Sequence, residues 1–260
     1  MTSPSGIVPT APTPAAGPAT DDGRAVRWGA LPNARDLGGL PTTDGGRTVA
    51  GRVFRAPRLE DAGPDGIAAM AGAGVRTVVD LRNAAEVEPL ALPSSVTRHA
   101  RPVEDPDDEE FMRAWAPHLD TPRYYPTVLE RWPDLIAAVF RTLAAAPDGA
   151  VVVHCAAGRD RTGMVTALLL TLVGVPRAAV VEDYLLAVRA TNERAAAHPG
   201  GHETHRAPDE LAAWCDDVGA ALEEFLDAVD PAAYLRAHGV TDAELDRVRA
   251  RLLDRRRAWR

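Results

Sequence analysis

Residues 151–163 read VVVHCAAGRDRTG, and this stretch decides the fold of the 260-residue chain. The three valines predict a buried strand, and Cys155 follows the end of that strand almost at once. A long apolar run from Met164 to Val175 then predicts a buried helix. The sequence therefore places a cysteine where a central strand turns into a helix.

Residues 155–161, called the cradle loop below, have the composition of an anion-binding site. A nucleophilic cysteine reacts as the thiolate, and backbone N–H groups at a helix N-terminus stabilise negative charge. If the loop wraps around a point in front of the sulfur, its N–H groups converge there. We therefore predict Cys155 as the nucleophile. The predicted phosphate-binding residues are Ala156, Ala157, Gly158, Arg159, Asp160, Arg161 and Thr162.

Individual positions in the loop support this interpretation. Arg161 carries a planar guanidinium, which can hold two phosphate oxygens and tighten its grip as charge develops in the transition state. Gly158 permits a tight turn with positive φ. Thr162 offers a hydroxyl to the sulfur or to a reaction intermediate.

Four segments, in order along the chain, resemble the cysteine-dependent protein tyrosine phosphatases. The common motif of that superfamily is His-Cys, five residues, then Arg-Ser/Thr, and a bacterial branch of atypical tyrosine and phosphoinositide phosphatases has it as HCxxGKDRTG. The segments NARDLGG (33–39), VVDLR (78–82) and DYLL (183–186) also resemble that branch. Ordered matches of this kind are more specific than one short motif. The resemblance implies a tyrosine-phosphatase-like fold, phosphocysteine chemistry, and no metal or cofactor.

The resemblance also implies roles for residues within the loop and on either side of it. Asp160 is expected to be the general acid that protonates the leaving oxygen. Arg159 replaces a lysine that, in the branch, helps to hold the substrate. Residues 188–228 are the candidate lid helices, and His154 and Arg82 are expected to support the site.

Two other aspartates compete for the role of general acid. Asp80 ends a predicted parallel strand, where ligands of open α/β sheets bind, and it is expected to act either as the acid or as a partner that orients the loop. Asp134 lies in a Trp-Pro-Asp tripeptide that holds the acid in other tyrosine phosphatases. Because an apolar helical stripe follows, Pro133 and Asp134 are instead predicted to form the first turn of a helix.

A net charge of −8 argues against general nucleic-acid affinity and against a polybasic membrane surface, so anions must be captured locally. Arg159 and Arg161 provide that capture. Arg55, Arg58 or Arg82 could assist, although we expect each of these three to form a surface salt bridge. The histidines in HETH (202–205) are spaced unlike those of a zinc-protease helix, so no metal site is predicted there.

The chain has two cysteines, and a disulfide between them would disable the nucleophile. We therefore expect a reducing, cytoplasmic environment and predict Cys215 as a core residue on a helix. No signal peptide is visible, and the apolar run of residues 164–175 is too short to cross a bilayer. Stable membrane insertion is not expected.

Strands at 75–81 and 151–153 alternate with helices, including one at 64–72. This alternation predicts an α/β fold with a mostly parallel central sheet flanked by helices. We expect one phosphatase domain over residues 25–260, after a disordered leader over residues 1–24 that is rich in Pro, Ala and Thr. An acidic cluster at 104–110 is open to two interpretations, a solvated loop or a substrate-facing flap.

The predicted function is a phosphomonoester hydrolase, foremost a protein-tyrosine phosphatase, with dual-specificity and phosphoinositide activity left open. Its partners would be phosphorylated proteins or phosphoinositides, with no nucleic acid. A non-catalytic phospho-ligand-binding module is disfavoured, because nucleophile, arginine and carboxylate are all present. A sulfur transferase is disfavoured too, since its cysteine loop needs no arginine six residues on.

Overall fold

The computed structural model describes residues 23–198 and 203–254. Within these ranges one sheet has the strand order β1-β2-β5-β3-β4, and only the β1–β2 pair is antiparallel. The strands are β1 (Arg35–Asp36), β2 (Val53–Ala56), β3 (Val75–Asp80), β4 (Thr97–Ala100) and β5 (Ala150–His154). The predicted mostly parallel sheet is confirmed, with β5 at its centre.

Helices cover both faces of the sheet. In the described ranges the α-helices are α1 (Gly63–Gly72), α2 (Glu109–Trp115), α3 (Tyr125–Arg131), α4 (Pro133–Ala145), α5 (Asp160–Leu172), α6 (Arg177–Ala197), α7 (Pro208–Ala228), α8 (Pro231–Ala237) and α9 (Asp242–Leu252). Short 3-10 turns lie at Leu59–Ala62, Ala84–Glu86, Ala116–His118 and Pro122–Tyr124. No helix in this part of the chain has an apolar stretch long enough to span a bilayer.

The central strand β5 is buried on both sides. Val151 and Val153 pack into a large apolar cluster with core residues of α4 to α9. Val152 points the other way, into a smaller cluster with Ile67 and Met70 of α1. Alternation of side chains along a strand explains this division, and full burial explains the unbroken valine run.

Most local predictions are close to the observed elements. Pro133 and Asp134 form the first turn of α4, and Cys215 is buried on α7, as predicted. The helix α6 runs to Ala197, and β4 and α8 were not predicted. Residues 1–22 of the expected leader and the histidine at 202 lie outside the described residues.

Candidate active site

Cys155 lies at the carboxyl end of the central strand, directly after β5. It is a free cysteine and only 2% exposed. The helix α5 begins at Asp160, so its N-terminus faces the end of the strand across the cradle loop. The positive end of the helix dipole is thereby directed at the region of the sulfur.

The carbonyl groups of the cradle loop point away from its interior. The backbone N–H of Arg58 donates to the carbonyl of residue 156 at 2.9 Å, and Asn33 Nδ2 donates to the carbonyls of residues 157 and 158 at 3.1 and 3.0 Å. Arg55 Nη2 also donates to the carbonyl of residue 158, at 2.7 Å. Across a trans peptide, the next N–H points opposite to the carbonyl. Outward carbonyls therefore turn the N–H groups of residues 157–159 inward.

Gly158 is the residue on which this loop shape depends. Its φ of +68° is in the left-handed region, where a side chain would be strained. A Cβ atom there would also lie 2.6 Å from the carbonyl oxygen of Ala56. The prediction of a tight, positive-φ glycine is confirmed.

A buried ion cluster supports the loop from beneath. Asp183 of α6 accepts hydrogen bonds from Arg24 Nη2 at 2.8 Å, Arg35 Nε at 3.0 Å and Arg55 Nη1 at 2.5 Å. Burial alone would raise the pKa of Asp183, but the three guanidinium groups hold that pKa far below its usual range. Arg55 is fully buried, so the surface salt bridge expected for it is wrong. It instead joins Asp183 to the cradle loop.

Arg161 is held at the rim of the cradle by carboxylates. Its Nη1 and Nη2 donate to the two oxygens of Glu86 at 2.5 and 2.6 Å, and Glu104 Oε1 lies 3.5 Å from Nη1. Burial would lower the pKa of the guanidinium, but Glu86, the Cys155 sulfur and Glu104 together raise it. The side chain is 13% exposed. Arg161 is therefore a cation held in place by Glu86 and Glu104, and its role as a phosphate ligand stays a prediction.

Asp160 lies at the first position of α5 with a partly buried carboxyl. Arg159 Nε donates to both of its oxygens at 3.0 and 3.1 Å, and the Tyr184 hydroxyl donates to Oδ1 at 3.4 Å. Burial raises the pKa of Asp160, and the negative charges of Glu203 and Asp120 raise it further, against the opposing effect of Arg159. A carboxyl that holds its proton more tightly suits a general acid.

Arg159 does not extend freely into the cradle. The residue is 4% exposed, and its Nη1 donates to Thr191 Oγ1 at 3.1 Å and to Glu203 Oε2 at 2.9 Å. Thr191 lies on α6 and Glu203 shortly before α7, so the candidate lid segment contacts the cradle loop at this arginine.

Asp80 is a fully buried anion within a second ion cluster. Arg82 donates to it from its backbone N–H at 3.1 Å, from Nε at 2.9 Å and from Nη2 at 2.8 Å, and Arg98 Nε donates at 3.0 Å. His154 Nε2 lies 3.4 Å from Asp80 Oδ2. Burial would raise the pKa of Asp80, but Arg82 and His154 hold it far below its usual range. These contacts disfavour Asp80 as the acid and suit the orienting alternative.

Arg82 and Arg58 differ in their surroundings. Arg82 is buried and also donates to Glu60, at 2.8 and 3.2 Å, so the surface salt bridge expected for it is wrong. Arg58 is partly exposed and pairs with Glu88 at 2.5 Å, as expected.

The acidic cluster at 104–110 was open to two interpretations, a solvated loop or a substrate-facing flap, and different residues of the cluster fit each one. Glu104 is mostly buried beside Arg161, and burial raises its pKa. Residues 105–107 are exposed, and Asp108 caps α2. One carboxylate therefore faces the site while the remainder of the segment is solvated.

Thr162 is fully buried, and its hydroxyl makes no hydrogen bond in the described part of the structure. The contact to the sulfur proposed for this hydroxyl is therefore not made here.

Several residues that shape the site were not predicted as site residues. Asn33 and Asp183 lie in segments that carry the family resemblance, and that resemblance could have identified them as site residues. Glu86 and Glu203 had no signal beyond being acidic. The site therefore contains more carboxylates than the sequence interpretation assigned to it.

The inward N–H groups, the cysteine at the strand end and the fixed arginine define the class of cysteine-dependent phosphatases. The chain belongs to the tyrosine phosphatase family, whose model, described as "Tyrosine phosphatase family", matches residues 26–254. It is a phosphatase enzyme.

Two curated relatives illustrate the similarity. The chain is 32% identical over 222 residues to the tyrosine-protein phosphatase of Nostoc commune, covering 75% of this chain and 71% of the relative. It is 30% identical over 170 residues to the triple specificity protein phosphatase PtpB of Mycobacterium tuberculosis, covering 52% of this chain and 60% of that protein.

Proposed function

We propose that the protein is a protein-tyrosine phosphatase that works through a phosphocysteine intermediate on Cys155. One observation carries the proposal: the loop carbonyls are bonded on the outside of the cradle, so the N–H groups turn towards the position of a phosphate. Such preorganised donors stabilise developing charge without rearrangement during the reaction.

In the first step the Cys155 thiolate attacks phosphorus. A sulfur–phosphorus bond forms, the bond from phosphorus to the leaving oxygen breaks, and that oxygen takes the proton of Asp160. The loop N–H groups and Arg161 hold the three remaining oxygens of the transferring group.

In the second step water attacks the phosphocysteine. The phosphorus–sulfur bond breaks, the thiolate is restored, and Asp160 takes a proton from the water. Inorganic phosphate leaves. Asp80, Arg82 and His154 act as positioning residues in this scheme, since their ion cluster fixes the end of β3 next to the loop.

Phosphotyrosine is the substrate that we propose first. The name of the Nostoc relative, a tyrosine-protein phosphatase, supports it, and the name of the mycobacterial protein indicates broader specificity for that relative. Phosphoserine, phosphothreonine and phosphoinositides are therefore the comparison substrates in a panel at equal concentration. A free thiol nucleophile also favours a reducing, cytoplasmic location.

We further propose that residues 188–228 act as a lid over the site. Thr191 and Glu203 already contact Arg159 of the cradle loop, so this segment is attached to the loop at one edge. Exclusion of water from the thiolate would be the purpose of closure.

The deciding experiment compares C155S with C215S. C155S is expected to lower turnover of 4-nitrophenyl phosphate at least about a thousandfold. It should still bind vanadate, because the N–H groups and Arg161 remain. C215S is the matched control, since Cys215 is a buried thiol on α7, and it should keep its activity.

Retained turnover in C155S would overturn the proposal. Phosphate binding by the wild type without turnover would favour the binding module instead. Thiocyanate formation from thiosulfate and cyanide would favour the sulfur transferase.

A further inference from the structure

Two buried tyrosines donate hydrogen bonds to Asp160, the first residue of α5. The hydroxyl of Tyr125, on α3, donates to the main-chain carbonyl of Asp160 at 2.8 Å. The hydroxyl of Tyr184, on α6, donates over a longer distance of 3.4 Å to the carboxyl oxygen Oδ1. Asp160 is therefore held at its main chain by one helix and at its side chain by another.

Both tyrosines are confined by the packing around them. Tyr125 is fully buried, and its ring lies edge to face with those of Tyr124 and Phe225, at centroid separations of 5.1 and 5.3 Å. Tyr184 is buried as well. Side chains in a close-packed core occupy defined rotamers, so the two hydroxyls are presented to Asp160 at fixed positions.

The close approach of the two tyrosines to α5 depends on Gly163. A Cβ atom at this position would lie 2.8 Å from Tyr184 Cδ2 and 3.0 Å from the Tyr125 hydroxyl oxygen. The first of these separations is well inside the contact distance of two carbon atoms, so a side chain there would displace the Tyr184 ring. The glycine thus makes room for both hydroxyls beside the start of the helix.

A tyrosine hydroxyl suits a group that alternates between carboxylic acid and carboxylate. It can donate to the carboxylate and accept from the carboxylic acid, whereas the Arg159 guanidinium, which also holds Asp160, can only donate. Burial and the charge of Asp160 raise the pKa of Tyr184, so its hydroxyl keeps its own proton. Tyr184 can therefore remain a partner of Asp160 before and after proton transfer.

We propose that Tyr125 and Tyr184 are positioning residues, which together hold Asp160 in the orientation from which it protonates the leaving oxygen. The inference rests on the proposed function, in which Asp160 is the general acid. The proton that moves belongs to Asp160, and neither tyrosine gives up its own. Their contribution should be largest for substrates whose leaving oxygen depends most on that proton.

The test measures kcat and KM for phenyl phosphate and for 4-nitrophenyl phosphate in the double variant Y125F/Y184F. Phenolate is a poorer leaving group than 4-nitrophenolate, so its departure depends more on the acid. The kcat ratio, phenyl over 4-nitrophenyl, is expected to fall about tenfold, while KM for both substrates stays close to wild type. The single variants should lower the ratio too, and they carry the test if thermal melting shows that the double variant is unfolded.

Y234F is the matched control. The hydroxyl of Tyr234, on α8, donates to the main-chain carbonyl of Leu129 at 2.9 Å, so this variant loses the same kind of contact at a carbonyl other than that of Asp160. Y234F should keep the wild-type kcat ratio. A second control places the two tyrosine changes in D160N, where the proton donor is already absent and the ratio should fall no further.

A wild-type ratio in the folded tyrosine variants, an equal fall in Y234F, or a further fall in the D160N background would overturn the inference. An unchanged ratio in D160N itself would instead overturn the assignment of Asp160 as the acid. Absence of wild-type turnover on every phosphate ester would overturn the proposed function as a whole.

Discussion

Asp80 and Asp160 each lie beside an arginine near the end of β5, yet their pKa values move in opposite directions. Asp80 receives hydrogen bonds from Arg82 and Arg98, so positive charge dominates its surroundings. Among the arginines in the described part of the chain, Asp160 receives them from Arg159 alone, with other carboxylates close by. The comparison shows that proximity to an arginine does not identify the acid. The acid is identified by the balance between its hydrogen-bond donors and the neighbouring charges.

The largest effect is expected for D160N. Loss of the proton donor should lower kcat about 10²–10⁴-fold on aryl phosphates with poor leaving groups, and far less on those with activated ones. Steady-state kinetics across a leaving-group series measures this.

D134N is the matched control for D160N, because Asp134 is an exposed first-turn residue of α4 and should tolerate the change. A uniform loss across the leaving-group series would contradict the role of Asp160 as the acid.

D80N should instead damage stability. Removing one partner of a buried ion pair leaves the arginines uncompensated, and we expect a loss of about 3 kcal/mol in the free energy of unfolding. Chemical denaturation at neutral pH measures this.

The pH dependence of D80N sharpens the comparison. The pKa of Asp80 is lowered in the folded state, so its ionisation stabilises the fold above the ordinary aspartate value of about 3.9 and the contribution is lost as pH falls below it. D80N should therefore lose less stability on acidification than the wild type. A variant as stable as the wild type at neutral pH would contradict the ion-cluster account.

The contact between Glu86 and Arg161 offers a third test. E86Q keeps the size of the side chain but weakens a bidentate charge-assisted contact, so kcat/KM should fall about tenfold. E88Q is the control, because Glu88 contacts Arg58 rather than Arg161. Equal losses in both variants would indicate a general charge effect.

The smallest effect is a shift in a pH profile. Asp160 must be protonated to act, so kcat/KM should decline as pH rises through its pKa. Glu203 raises that pKa, and E203Q should therefore move the alkaline limb to lower pH. E193Q should leave the limb in place. A shift to higher pH in E203Q would contradict the assigned electrostatics.

The elements around the site could be predicted because their signals are local. Each signal reflects the backbone conformation at its own position. The signals are the valine run of β5, the glycine with positive φ in the cradle loop and the proline in the first turn of α4. The parallel sheet follows from their alternation with helices.

The ion pairs of Arg55 and Arg161 could not be predicted, because their partners are far apart in sequence. Arg55 and Asp183 are separated by 128 residues, and Arg161 and Glu86 by 75. Whether such an arginine is buried or exposed depends on which carboxylate the fold brings to it. The sequence therefore indicated Arg55 as a surface residue, although it lies beneath the cradle loop.

Mass spectrometry of enzyme quenched in acid during turnover tests the central claim most directly. The account predicts one phosphoryl group on the peptide that contains Cys155, accumulating with an activated aryl phosphate and absent in C155S. A phosphoryl group on another residue, or turnover without any covalent adduct, would contradict it.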